Sequence, residues 1–212
     1  MAPPLDPSLD PLEGRRPEGP VVIFLVDGLG WSRFGRWADA GASGSARRWG
    51  ARAQPITTVY PTSTAAALLS LSTGATPAQH GLVGYRQYLP AYGVVADMLK
   101  MTPLGAPAPE GLIGPDWSPA LMGGSPTVFR RGLRGAAISR DRFQGTGFTR
   151  WLYDGAEYVP WTTASDFAVE LAGLLDRPRP PDLVLAYWDE LDTAAHFHGP
   201  SDPVDRFELD RL

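Results

Sequence analysis

The sequence predicts an α/β fold with a mostly parallel central sheet, and three observations predict it. Two short runs read as buried strands: VVIFLV at Val21–Val26, continuously apolar and rich in β-branched side chains, and DLVLAYW at residues 182–188, apolar after its Asp. That is how strands buried on both faces of a parallel sheet read. Helical patterns lie between them, and alternating strands and helices build such a sheet. A single domain of this kind fits 212 residues, 43% of them hydrophobic and 20% charged.

The elements follow in order. Residues 1–20, MAPPLDPSLDPLEGRRPEGP, form a Pro-rich leader with no apolar core, expected to be disordered and unlike a secretory signal. Residues 21–212 form the domain. After the first strand, residues 31–40 suit a short helix stopped by Gly41. Residues 53–60 predict a second strand, and the Ala/Leu run at 64–72 predicts a helix closed by Gly74. Residues 92–100 are expected to be helical, and 102–127, dense in Pro and Gly, to be a long loop of the kind that often serves as a lid. Residues 135–139 predict a short strand and 163–175 a helix with Phe167, Leu171, Leu174 and Leu175 on its apolar side. A last helix starts at a Ser/Asp cap near Ser201.

Composition excludes several classes. The net charge is −4 and no Lys/Arg-rich block occurs, so no nucleic-acid polymer is an evident partner. Cysteine is absent, which removes disulfides and thiolate metal sites. No apolar run is long enough for a transmembrane helix. The expectation is a cytoplasmic protein, with an oligomeric state that the sequence does not reveal.

Sites in parallel sheets gather at the carboxyl ends of the strands. Three polar groups stand there. Asp27 ends the first strand ahead of Gly28 and Gly30, as a turn residue or as a ligand. The lone G-x-G lacks the third glycine of a dinucleotide fingerprint, since Arg33 holds that place. Asp192 and His196 are four apart, one helical turn, and form either a local hydrogen bond or two ligands for zinc or a similar ion. His198 is a surface residue or a substrate contact. Thr64 opens the Ala/Leu helix, where free N–H groups favour an anion. It is a simple cap or, once deprotonated, a nucleophile. Trp117, Trp151, Tyr153, Tyr158 and Trp161 are packing residues or the lining of a leaving-group pocket.

In this order, LVDGLGW, YPTSTAAALLSLSTGATPAQHGLVG and YWDELDTAAHFHGP resemble the alkaline phosphatase superfamily, and within it the type I phosphodiesterase/nucleotide pyrophosphatase family. The resemblance implies an alkaline-phosphatase-like α/β sandwich and two divalent metal ions, zinc with manganese as the alternative. It implies that Thr64 is the nucleophile and shares one metal with Asp27, while Asp192 and His196 hold the other. The activity implied is hydrolysis of a small-molecule phosphoric ester, a phosphodiester or nucleotide pyrophosphate, through a phospho-threonine intermediate. A phosphomonoesterase or phosphomutase of the same superfamily, or a non-catalytic truncated interaction protein, are the alternatives.

The pattern departs from the family in three places. Tyr85, followed by Arg86, stands where the nucleotide branch carries an Asn that donates to a phosphoryl oxygen, so either becomes the candidate substrate-binding residue. Ala65, Ala66 and Ala67 replace a Phe-Pro-Asn. The family also needs an Asp-His pair and a further His downstream, whereas this chain has three histidines, His80, His196 and His198, and none after them. The chain is therefore expected to be the N-terminal portion of a longer enzyme, truncated at its C-terminus and inactive by itself.

Overall fold

The computed structural model describes residues 6–40, 48–114, 116–200 and 202–212. The strands are β1 (Val21–Val26), β2 (Arg86–Leu89), β3 (Val94–Asp97), β4 (Thr102–Pro103), β5 (Gly135–Arg140), β6 (Glu157–Trp161) and β7 (Leu183–Trp188). The helices are α1 (Trp31–Ala40), α2 (Thr64–Thr73), α3 (Pro77–His80), α4 (Gly147–Leu152), α5 (Ala164–Leu175), α6 (Glu190–His198) and α7 (Asp202–Leu209). Gly41, Ser201 and residues 1–5 lie outside the described residues.

The main sheet has the order β1-β7-β5-β6 and is parallel throughout. β1 and β7 read as unbroken apolar runs because side chains on both faces pack into a core. Ile23, Leu25, Ala137, Leu185 and Tyr187 pack into one cluster with Leu68 and Leu69 of α2 and Phe148 and Trp151 of α4. The alternate residues Val22, Ala136, Ile138, Val184 and Trp188 pack into a second cluster with Phe167 and Leu174 of α5. A third cluster joins Trp37 of α1, Leu191 of α6 and Leu209 of α7.

The predicted helix over 92–100 is instead the second strand of an antiparallel hairpin. Arg86 pairs with Asp97 and Leu89 with Val94, and β4 adds a short third strand. The turn explains the error: Gly93 takes φ +66°, and the amides of Tyr92 and Gly93 both donate to the Leu89 carbonyl. Val94 and Val95 then leave the turn as β-branched strand formers.

Residues 53–60 form no strand. Apart from Ala53 and Val59 they are exposed, and Pro55 lacks an amide for a ladder. The strand β6 was not foreseen. It carries Pro160, which an edge strand tolerates, and β6 is the edge next to β5. The loop at 102–127 is pinned rather than free. Glu110 Oε2 accepts the Gly147 amide at 2.7 Å, and Leu112 and Trp117 are buried. In the leader, Pro7–Leu9 makes one 3-10 turn and no residue from 6 to 20 is buried.

Trp188 is the large side chain of the central strand. It stacks on Trp161 at 4.9 Å and meets Phe167 edge-on at 5.1 Å, while its indole N–H has no hydrogen-bond partner among the described residues. Trp188→Ala is expected to cost about 3–5 kcal/mol of folding stability. Trp188→Phe keeps an aromatic ring and removes an unsatisfied donor, and is expected to cost clearly less. Denaturant unfolding of the two variants checks this; equal losses would show that packing against Trp161 is not what Trp188 contributes.

Candidate active site

The site is built where β1 and β7 end. Val26 lies opposite Trp188, and the ladder runs one step further, with the Asp27 amide donating to the Trp188 carbonyl at 2.9 Å. Both oxygens of the Asp27 carboxylate are held. Oδ1 accepts the Gly28 amide at 2.9 Å, and Oδ2 accepts the Tyr187 hydroxyl at 2.6 Å. Burial first, and the Asp27 charge second, push the Tyr187 phenol far above its ordinary range, so it remains a donor at neutral pH.

Gly28 is required on two counts. Its φ is +75°, and a Cβ there would lie 3.1 Å from the Asp192 Cα. The turn after Asp27 therefore touches the first turn of α6, which brings Asp192 close to Asp27. Burial raises the proton affinity of Asp192, and the nearby Asp27 charge raises it further. His196 Nε2 stands 3.3 Å from Asp192 Oδ2, so the i, i+4 pair read from the sequence meets on one side of α6.

The hydroxyls at the head of α2 divide their work. Ser63 is the N-cap, with its Oγ accepting the Ala66 amide at 3.4 Å. Thr64 is the first helical residue, half-buried, and its hydroxyl makes no hydrogen bond among the described residues. Capping does not account for it. Thr62 is exposed.

A cleft of about 730 Å³ joins these parts. Thr64, Tyr85, Arg86, Asp192 and His196 all line it, and Tyr187 on its wall carries the hydrogen bond to Asp27. The residues named by the resemblance, Thr64, Tyr85, Arg86, Asp192 and His196, are thus brought to one place, with Asp27 beside them through Tyr187 and Asp192. His198 is exposed and outside the cleft. Of the aromatic candidates only Tyr153 lines it. Trp117, Trp151 and Trp161 are core residues, and the Tyr158 hydroxyl donates to the Arg140 carbonyl at 2.5 Å.

The family model for type I phosphodiesterase / nucleotide pyrophosphatase matches residues 21–209. The chain belongs to this family. Among solved structures it is similar to phosphonoacetate hydrolase from Sinorhizobium meliloti 1021 in complex with phosphonoacetate, at TM-score 0.62 and 18% identity over 92% of this chain and 51% of that one. It is also similar to murine ectonucleotide pyrophosphatase / phosphodiesterase 5, at TM-score 0.62 and 17% identity over 90% of this chain and 48% of that one. An inactive threonine-to-alanine variant of the murine protein in complex with AMP gives TM-score 0.60 at 17% identity, over 91% of this chain and 49% of that one. The chain spans about half the length of these relatives. No curated protein matches it by sequence.

The donors of this phosphodiesterase-family site suit a divalent ion in kind. Carboxylate oxygens, a hydroxyl and an imidazole are what zinc and manganese take, and a cation would offset the repulsion between Asp27 and Asp192. In number they are short. Among the described residues no group of three His, Cys, Asp or Glu side chains could hold one ion.

Two features of the site escaped the sequence. Tyr187 was read only as part of a buried strand, although a Tyr at a strand's carboxyl end carries a polar tip that needs a partner. The pair Asp189 and Arg142 was not singled out either. Both line the cleft, and they bond to each other across 47 positions of sequence.

The division of labour between Ser63 and Thr64 is testable by stability alone. Ser63→Ala is expected to lower stability by about 1 kcal/mol through loss of the cap, and Thr64→Ala to leave it within about 0.5 kcal/mol. Chemical denaturation of both variants measures this; a larger loss at Thr64 would make it a structural residue.

Proposed function

We propose that the protein carrying this sequence hydrolyses a phosphoric ester, a phosphodiester or nucleotide pyrophosphate, with Thr64 as the nucleophile. The observation that carries this reading is the Thr64 hydroxyl, which heads α2, is not used as a cap, and faces the same cleft as Asp192 and His196. Family membership supports it, as does the inactive threonine-to-alanine variant of the murine relative. The ligands of the relatives, AMP and phosphonoacetate, are small phosphorus-containing anions, which fits a cleft of this size.

In the mechanism, the helix end with its free amides holds the phosphoryl oxygens and fixes phosphorus in front of the Thr64 Oγ. The oxygen gives up its proton to solvent and attacks phosphorus, the P–O bond to the departing alcohol or phosphate breaks, and a phospho-threonine forms. Water then attacks the same phosphorus, the P–O bond to Thr64 breaks, and the threonine oxygen takes back a proton as the phosphate product leaves. Tyr85 and Arg86, on the cleft wall, are the residues that donate to a phosphoryl oxygen. Asp27 with Thr64, and Asp192 with His196, are the groups that would hold two divalent ions, zinc or manganese. When bound, those ions supply the charge that makes a threonine hydroxyl acidic enough to attack and that stabilises the leaving oxygen. Tyr187 orients Asp27, and Gly28 lets α6 approach it.

In the full-length protein, Thr64→Ala is expected to lower hydrolysis of bis(4-nitrophenyl) phosphate by roughly a thousandfold or more. Thr62→Ala should be far milder, because Thr62 is exposed at the turn. Equal small losses in the two variants would remove Thr64 from the chemistry.

Treatment with a strong chelator is expected to abolish the same activity and added zinc or manganese to restore it. Rates indifferent to chelation would show that the carboxylates serve another purpose.

A further inference from the structure

Beyond the nucleophile, the cleft contains a cation that the proposed chemistry does not use. Arg142 follows β5 on the cleft wall. One of its Nη atoms donates to Asp189 Oδ2, and its guanidinium lies over the Phe143 ring, 4.8 Å from the centroid. Asp189 is itself fixed. It is buried, and its other oxygen accepts Arg140 Nε at 2.9 Å. Arg140 is locked in turn by the Thr162 carbonyl at 2.6 Å, by Glu190, and by stacking 3.9 Å over the Trp161 ring.

Arg140 is thus buried with all three of its guanidinium nitrogens bonded, whereas Arg142 is half-exposed and pre-oriented. Among the described residues its side chain makes no hydrogen bond except the one to Asp189. It must share that carboxylate with Arg140. A guanidinium held rigid by a buried carboxylate, with free donors facing a cleft, is built to grip an anion in a fixed orientation. Close by, the cleft is lined with Phe143, Phe148, Leu152 and Leu99. An organic group lying there meets carbon.

Arg142 also stands at a different strand from the phosphoryl site. Asp27 and Asp192 cluster at the ends of β1 and β7, while Arg142 follows β5, the next strand over. We infer that Arg142 is a specificity-determining residue that recognises a second anionic group, a carboxylate or a phosphate, on a substrate whose phosphoryl group lies at Thr64 and whose connecting portion is apolar. This rests on the reading of Thr64 as the phosphoryl site.

The test reads equilibrium binding, so it does not require turnover. Propylphosphonate, 3-carboxypropylphosphonate and propane-1,3-bisphosphonate are titrated calorimetrically into the full-length protein at fixed ionic strength. At least one of the two ligands with a second anion is expected to bind about tenfold or more tightly than propylphosphonate, the scale of one charge-assisted contact. The tighter of the two identifies the anion. Arg142→Gln should erase that advantage and leave propylphosphonate affinity unchanged, and Arg142→Lys should retain part of it.

Three results would overturn the proposal: no advantage in the unaltered protein, an advantage that survives Arg142→Gln, or an equal loss for all three ligands, which would put Arg142 at the phosphoryl group itself. Failure of the hydrolysis reading would appear separately, as absence of turnover of bis(4-nitrophenyl) phosphate with the binding pattern intact.

Discussion

The register of β1 against β7 is the constraint on which the site depends. With Val26 opposite Trp188 and the Asp27 amide bonded to the Trp188 carbonyl, the last residues of the two strands are aligned. A slip of one residue would turn every side chain of β1 to the opposite face. Val22 and Val26 would leave the cluster under α5, and Asp27 would no longer meet Tyr187. The apolar alternation that fills the two cores therefore also holds a carboxylate at hydrogen-bonding distance from a phenol. Packing and chemistry share one register.

That alignment has an electrostatic consequence. Asp27, Asp189 and Asp192 gather at one end of the sheet, and like charges there are costly. Each is relieved differently. Asp27 accepts from Tyr187 and from the Gly28 amide. Asp189 is divided between Arg140 and Arg142. Asp192 has His196 at 3.3 Å and the more distant charge of Arg33, and burial together with Asp27 still raises its proton affinity. The residue least compensated by its neighbours is thus one that faces the cleft, where a cationic ligand would complete it.

Much of this was legible in the sequence, for definable reasons. The runs Val21–Val26 and Leu183–Trp188 could be read because strands buried on both faces need no partner pattern to identify them. The helix α2 could be read because Thr64 and Gly74 mark its ends, and Gly74 takes the left-handed conformation a helix stop requires. Asp192 and His196 could be paired because a helical turn is a local rule. What was missed depends on distant partners. Residues 92–100 were expected to be helical, whereas Val94–Asp97 is a strand whose pattern is short and whose register is set by a glycine turn. The residues at 53–60 have strand propensity but pair with no strand among the described residues. The bond from Arg142 to Asp189 joins two strand ends that sequence spacing cannot bring together.

His80 shows how α2 is kept in place without entering the cleft. It is almost fully buried, and its ring is used on both sides. Nδ1 accepts the Leu82 amide at 3.2 Å, so the neutral ring carries its proton on Nε2, which donates to Ser70 Oγ at 2.8 Å. Ser70 belongs to α2 and Leu82 to the segment leading to Tyr85 and Arg86. One imidazole therefore ties the helix headed by Thr64 to the wall that faces it. Burial lowers the proton affinity of His80, which keeps this tautomer at neutral pH; a second ring proton would point at the Leu82 amide. The His80 backbone is gripped as well, since a Cβ on Gly124 would come within 2.5 Å of its carbonyl oxygen. The long loop at 102–127 thus presses, through Gly124, on the joint that sets the distance between the two cleft walls. The attack proposed for Thr64 needs such a joint, because an in-line displacement tolerates little misplacement of the attacking oxygen.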